Sequence, residues 1–248
     1  MLFPKSMSNF SVSPEPPTEP TTERPSDDPL PASLRGFGAP GILAILAIVL
    51  TGTITIGNFA VPVGASLVFL WVYWSHTPWR TVGFTRPRNW LMTIAGGVLL
   101  GIVLKFLMKA IVMPLLGADP INRAFHHWAG NRAALPAAVW TCLVAGFAEE
   151  TVFRGYLFER LGKLLGSGRG ARTLIVLVTS IGFGLAHYPN QGLAGAEQGA
   201  IVGLVLGGIF AFTGQVWMLM FAHAAFDLTA LAIIYWNLES RIAHLIFK

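Results

Sequence analysis

The chain has 248 residues, 54% of them hydrophobic and only 12% charged, with a mean hydropathy of +0.61. A soluble domain carries about 25% charged residues, so this composition excludes an ordinary soluble globule and points to a protein with several membrane spans. The net charge of +5 comes without a long basic run or a basic–aromatic patch, which argues against nucleic acid as a partner and fits the basic excess of cytoplasmic loops.

Residues 1–35 are rich in Pro, Ser, Thr, Glu and Asp and poor in aliphatics, so they bury too little surface to offset ordering. We read them as a disordered cytoplasmic tail and residues 36–248 as the membrane domain. The first thirty residues show no basic start, apolar core and small-residue cleavage site of a secretory signal. From Gly41 to Trp74 the chain is nearly all apolar, about twice the roughly 20 residues one span needs. Gly57-Asn58 and Pro62 divide it into spans near 41–57 and 60–76. A third span follows near 90–114, where Lys105 and Lys109 share a face and either snorkel or line the interior.

A polar loop over 115–133 contains His126 and His127, read as a solvated pair. The fourth span covers 134–161 and includes Cys142, the single cysteine, which has no intrachain disulfide partner. A basic, Gly-rich connector spans 162–172. The fifth span is near 173–187, Pro189-Asn190-Gln191-Gly192 breaks it, and the sixth and seventh lie near 196–213 and 216–236. The last dozen residues read either as interfacial or as a short eighth crossing element. The fold class expected is therefore an all-α polytopic membrane bundle of seven or eight transmembrane helices, with the lipid bilayer as its surroundings. With the N-terminus inside, ten basic residues fall in inner segments and four in outer ones, which supports that orientation. Trp71, Trp74, Trp79, Trp90, Trp217 and Trp236 fall near span ends and read as interfacial belt residues.

Apart from Lys105 and Lys109, the polar groups singled out inside the apolar runs lie at three places. Glu149, Glu150 and Arg154 lie in span four, Phe183 and His187 close span five, and His223 and Asp227 lie in span seven. Ionisable groups at bilayer depth are costly and are by default a functional-site hypothesis. Glu150 and Arg154, Phe183 and His187, and His223 and Asp227 are each four apart, so each pair shares a helix face. Glu149 is rotated by about 100° from Glu150 on an α-helix, so the two acids need not share surroundings. Counted from the 163–172 turn at 1.5 Å per residue, Glu149 and His187 both lie about 21–23 Å deep. The groups can thus converge at one height on three helices.

Glu-Glu-x-x-x-Arg at 149–154, Phe-x-x-x-His at 183–187 and His-x-x-x-Asp at 223–227, in that order on late transmembrane helices, resemble the CPBP family. That family comprises the CAAX prenyl endopeptidases and the bacteriocin-processing or immunity (Abi) proteins. The resemblance covers about 134–236, and Val82-Gly83-Phe84-Thr85-Arg86-Pro87 also looks like a family feature. It implies an intramembrane glutamic endopeptidase that needs no metal or other cofactor and acts on a membrane-associated peptide or protein, such as a lipidated or leader-peptide substrate. By similarity, Glu149 and His187 hold and deprotonate the attacking water, His223 and Asp227 line the oxyanion hole, and Glu150 and Arg154 support the site. Burial of a carboxylate disfavours its charged form and makes it a better base, and donors aimed at the oxyanion stabilise developing charge. The third motif often ends in Asn. Here it is Asp227, which is either protonated, or orients His223, or alters activity. Two other functions use the same residues: a metal-dependent membrane hydrolase ligated by Glu149, His187, His223 and Asp227, and a proton-coupled transporter or non-catalytic scaffold. His-Glu-x-x-His is absent, and no clear inverted repeat is visible.

Overall fold

Long apolar runs satisfy their backbone groups internally only as helices when lipid surrounds them. The computed structural model describes residues 29–51 and 60–247, and every regular element among them is helical. In chain order these are α1 (Pro29–Arg35), α2 (Ala39–Thr51), α3 (Ala60–Trp74), α4 (Trp90–Leu115), α5 (Leu135–Glu150), α6 (Leu157–Leu165), α7 (Arg169–Thr213), α8 (Trp217–Tyr235) and α9 (Glu239–Ala243). Residues 1–28 and the Gly57-Asn58 break lie outside the described residues. Residues 29–35, assigned to the tail on composition, instead form α1. Its end is fastened by hydrogen bonds from Arg35 to the Ser75 carbonyl (2.5 Å) and from the Trp71 indole to the Leu34 carbonyl (3.1 Å).

By length and apolarity, three of the described helices can cross a membrane: α4, α7 and α8. The count becomes four if α1 and α2, bent by 56°, form one broken span. The 45 residues of α7 are two antiparallel halves, because Gly192 adopts φ 65° and ψ −161° and reverses the chain. A Cβ on Gly184 would lie 2.5 Å from the Ala196 carbonyl oxygen, and one on Gly203 would lie 2.9 Å from the Ser180 Cα, so the halves touch backbone to backbone. Large apolar side chains such as Leu91, Leu99, Trp140, Ile181 and Leu185 are exposed, the outward-facing surface of an integral membrane protein.

The packing centre is α8, with α4 on one side and α5 on the other. A Cβ on Gly97 would lie 2.6 Å from the Met218 carbonyl oxygen, and one on Gly101 only 2.1 Å from that of Ala222. The two glycines are four residues apart, the small-xxx-small pattern that lets membrane helices meet closely. On the other side a Cβ on Gly146 would lie 2.5 Å from the Ala224 backbone nitrogen, which draws the acidic end of α5 against α8. Trp71 departs from its interfacial reading. It is buried and packs edge-on to Tyr156 at 4.9 Å, because the Leu34 carbonyl supplies the indole with an internal acceptor.

The Val82–Pro87 motif clamps the base of this centre. Gly83 is left-handed (φ 84°), its carbonyl accepts from the Val216 N–H at 3.1 Å, and Phe84 packs edge-on to Trp217. Gly101→Ala is expected to destabilise the protein by about 1–3 kcal/mol through overpacking. Gly96→Ala, where the nearest atom to the new Cβ is the Met218 sulfur at 4.0 Å, is expected to be neutral or mildly stabilising. Thermal unfolding of the two variants in detergent checks the contrast.

Candidate active site

The acidic end of α5 runs directly into a π-helical turn, Thr151–Tyr156, before the chain resumes as α6. π-turns of this kind recur at functional sites. Within it Arg154 reaches back to Glu150, and its Nη1 donates to Glu150 Oε1 at 2.8 Å. The same oxygen faces the ring of His223 on α8, with Nδ1 at 2.8 Å. An ionised carboxylate only accepts, so the imidazole donates Nδ1–H to it. Glu150 and Arg154 are fully buried and His223 nearly so. The three form a chain of charge-assisted hydrogen bonds, the stronger class of such bonds.

The other ring nitrogen of His223 points between two further carboxylates. Nε2 lies 3.7 Å from Glu149 Oε2 and 3.6 Å from Asp227 Oδ2. These separations exceed a hydrogen bond but are within ion-pair reach. The two adjacent acids therefore take opposite sides of one imidazole, although a uniform α-helix sets them about 100° apart. Glu150 is sealed, whereas the side chains of Glu149 and Asp227 keep 16% and 29% exposure. Glu149 Oε2 is itself buried and has no hydrogen-bond partner among the described residues.

Phe183 is the surface on which the rest assembles. Its ring carries the Arg154 guanidinium at 4.7 Å and meets Phe153 at 4.9 Å, His187 at 4.7 Å and His223 at 5.7 Å. A guanidinium over an aromatic face is a favourable cation–π arrangement. His187 joins at the edge of the cluster through that ring. Its Nδ1 is 2.8 Å from the Phe183 carbonyl oxygen, an acceptor, so Nδ1 carries the proton and a neutral ring keeps its lone pair on Nε2. Gly199 on the returning half of α7 makes room for the imidazole, since a Cβ there would lie 3.3 Å from Nδ1.

All seven residues singled out by the three motifs thus lie in one neighbourhood, His187 at its margin. The loop histidines do not join them, and His126 is not simply solvated. Its Nδ1 is 2.9 Å from Glu239 Oε2, which ties the 115–133 loop to α9. Among the described residues no three of His, Cys, Asp and Glu are arranged to hold a metal ion. Sequence reasoning did not find Gln198, which accepts from Lys105 Nζ at 3.0 Å close to the site. A glutamine in a Gly-rich helix carries no spacing signal, and its partner is 93 residues away.

Removing one member of a buried ion pair leaves the other uncompensated, which costs about 3–5 kcal/mol. Arg154→Met is therefore expected to destabilise the fold by that order, and adding Glu150→Gln is expected to restore part of the loss. Denaturant unfolding in detergent checks both, and a loss below about 1 kcal/mol for Arg154→Met contradicts the pairing.

Compared with known proteins, residues 131–229 match the family model of the Rce1-like type II CAAX prenyl endopeptidases. The matched stretch runs from just before α5 into α8 and contains all three motifs. No curated protein and no solved structure matches the chain.

Proposed function

We propose, on the match of residues 131–229 to the CAAX prenyl endopeptidase family model, that the chain cleaves a membrane-associated peptide with a water molecule activated by Glu149 and His187. The reading rests chiefly on one observation. His223 gives Nδ1–H to the buried Glu150 and directs Nε2 between Glu149 and Asp227, beside a Glu149 oxygen without a hydrogen-bond partner among the described residues.

In this reading Glu149 takes a proton from water while His187 Nε2 accepts the other O–H and sets its direction. The water oxygen bonds to the scissile carbonyl carbon, and the carbonyl π electrons move onto oxygen. His223, with Nε2 protonated, donates to that oxyanion, and Glu150 and Arg154 hold the ring in place. The intermediate collapses with cleavage of the C–N bond, and Glu149 returns the proton to the departing amine. Asp227 acts on His223, the group it faces.

Glu149→Gln keeps the shape and removes the base, so turnover of a prenylated peptide is expected to fall by about 10²–10⁴-fold with the unfolding temperature held. His187→Ala is expected to lose activity similarly. Normal cleavage by both variants overturns the assignment. Turnover is expected to survive treatment with a chelator. Loss on chelation with recovery on adding a divalent ion favours the metal-dependent alternative instead.

A further inference from the structure

A cavity of about 280 Å³ lies on the side of the α7 reversal, between α4, both halves of α7, α8 and the 115–133 loop. Most polar groups on its wall satisfy one another. Glu239 accepts from the Asn122 N–H at 2.7 Å and pairs with His126, Lys109 donates to the Pro120 carbonyl, and Arg123 pairs with Asp119 at 2.8 Å. Lys105 is the buried charge among them that lacks a carboxylate in contact. It is 5% exposed and lies over the Phe226 ring, 4.6 Å from its centroid, and one hydrogen bond joins it to the neutral amide of Gln198. No carboxylate among the described residues comes within ion-pair distance of its ammonium, which has three donors. Asp227 and Glu239 act on it only from beyond that distance. A buried cation with no carboxylate in contact is costly, and a cavity beside it gives an external anion a way in.

The neighbours of Lys105 adjoin the site along the chain. Phe226 precedes Asp227, Gln198 precedes the Gly199 that accommodates His187, and Ala230 on the cavity wall lies one turn beyond Asp227. We propose that Lys105, with the amide of Gln198, seats the carboxylate of the peptide substrate, so that this cavity holds the segment carrying the substrate's free C-terminus. The assignment rests on the protease reading above. The Gln198 carbonyl orients the ammonium, and its amide nitrogen retains two N–H donors for the same carboxylate. The carboxylate has two sources, the chain terminus or an acidic side chain, and the terminus is the one proposed.

The test uses the full-length protein and a quenched fluorescent peptide with a prenylated cysteine near its C-terminus. The peptide is made as the free acid, as the C-terminal amide, and as the amide with an added Asp side chain. Wild type is expected to favour the acid over the plain amide by about tenfold or more in kcat/KM, chiefly through KM. In Lys105→Met the acid-to-amide ratio is expected to fall to within about twofold of one, and Lys105→Arg to recover part of it. A wild-type ratio near one overturns the proposal. So does an equal loss on both peptides in Lys105→Met, which makes the lysine a structural counter-charge for Asp227. Rescue of the amide by the added Asp alone assigns the seat to an acidic side chain and overturns the terminus. Glu149→Gln on the same peptides judges the catalytic reading separately. If no peptide is cleaved, thermal protection of wild type by the acid but not the amide, lost in Lys105→Met, supports the seat, and equal protection by both overturns it.

Discussion

One oxygen atom, Oε1 of Glu150, accepts from the Arg154 guanidinium and the His223 imidazole at 2.8 Å each, inside a part of the bundle from which solvent is excluded. A lone carboxylate at this depth costs several kcal/mol, and two donors of complementary charge are what make its burial tolerable. The backbone is arranged to permit it. Gly146 lets α5 approach the α8 backbone, and Gly97 and Gly101 admit α4 to its other side. Phe183 then closes over the guanidinium and brings His187 to the same cluster.

The consequence is a division between two neighbouring acids of the same type. Each acid has a buried Oε2 without a hydrogen-bond partner among the described residues, but Glu150 is sealed and committed through Oε1 to Arg154 and His223, while Glu149 keeps some exposure. Environment rather than identity separates structural from reactive carboxylates in enzymes that use two of them. The imidazole between them is held from one side and presented from the other. That is the arrangement expected of a group that must keep a fixed direction while charge develops beside it.

Much of this was legible in the sequence because it follows from periodicity. Apolar runs of span length imply helices, and the four-residue spacings of Glu150–Arg154, Phe183–His187 and His223–Asp227 assign each pair to a face. The reversal at Gly192 was also readable from its Pro-Asn-Gln-Gly context, although the helix persists to the glycine itself. What escaped depends on tertiary contacts. The convergence of Glu149 and Glu150 on the His223 ring depends on how α8 packs against α5, which the pattern does not carry. Trp71 looked interfacial until the Leu34 carbonyl supplied its indole with an internal acceptor, and the same contact orders residues that composition assigned to a tail. Lys105 was visible as a charge in a span, but its burial depends on Phe226 and Gln198, distant in sequence.

The coupling between Glu150 and His223 tests the central claim most directly. A double-mutant cycle of Glu150→Gln, His223→Gln and the pair, read as unfolding free energy in detergent, isolates their interaction. The account predicts that the pair is destabilised by less than the sum of the single variants, with a coupling of about 1.5–3 kcal/mol for a buried charge-assisted hydrogen bond. Additivity within about 0.5 kcal/mol would mean that the two side chains do not hold one another, and it would contradict the account.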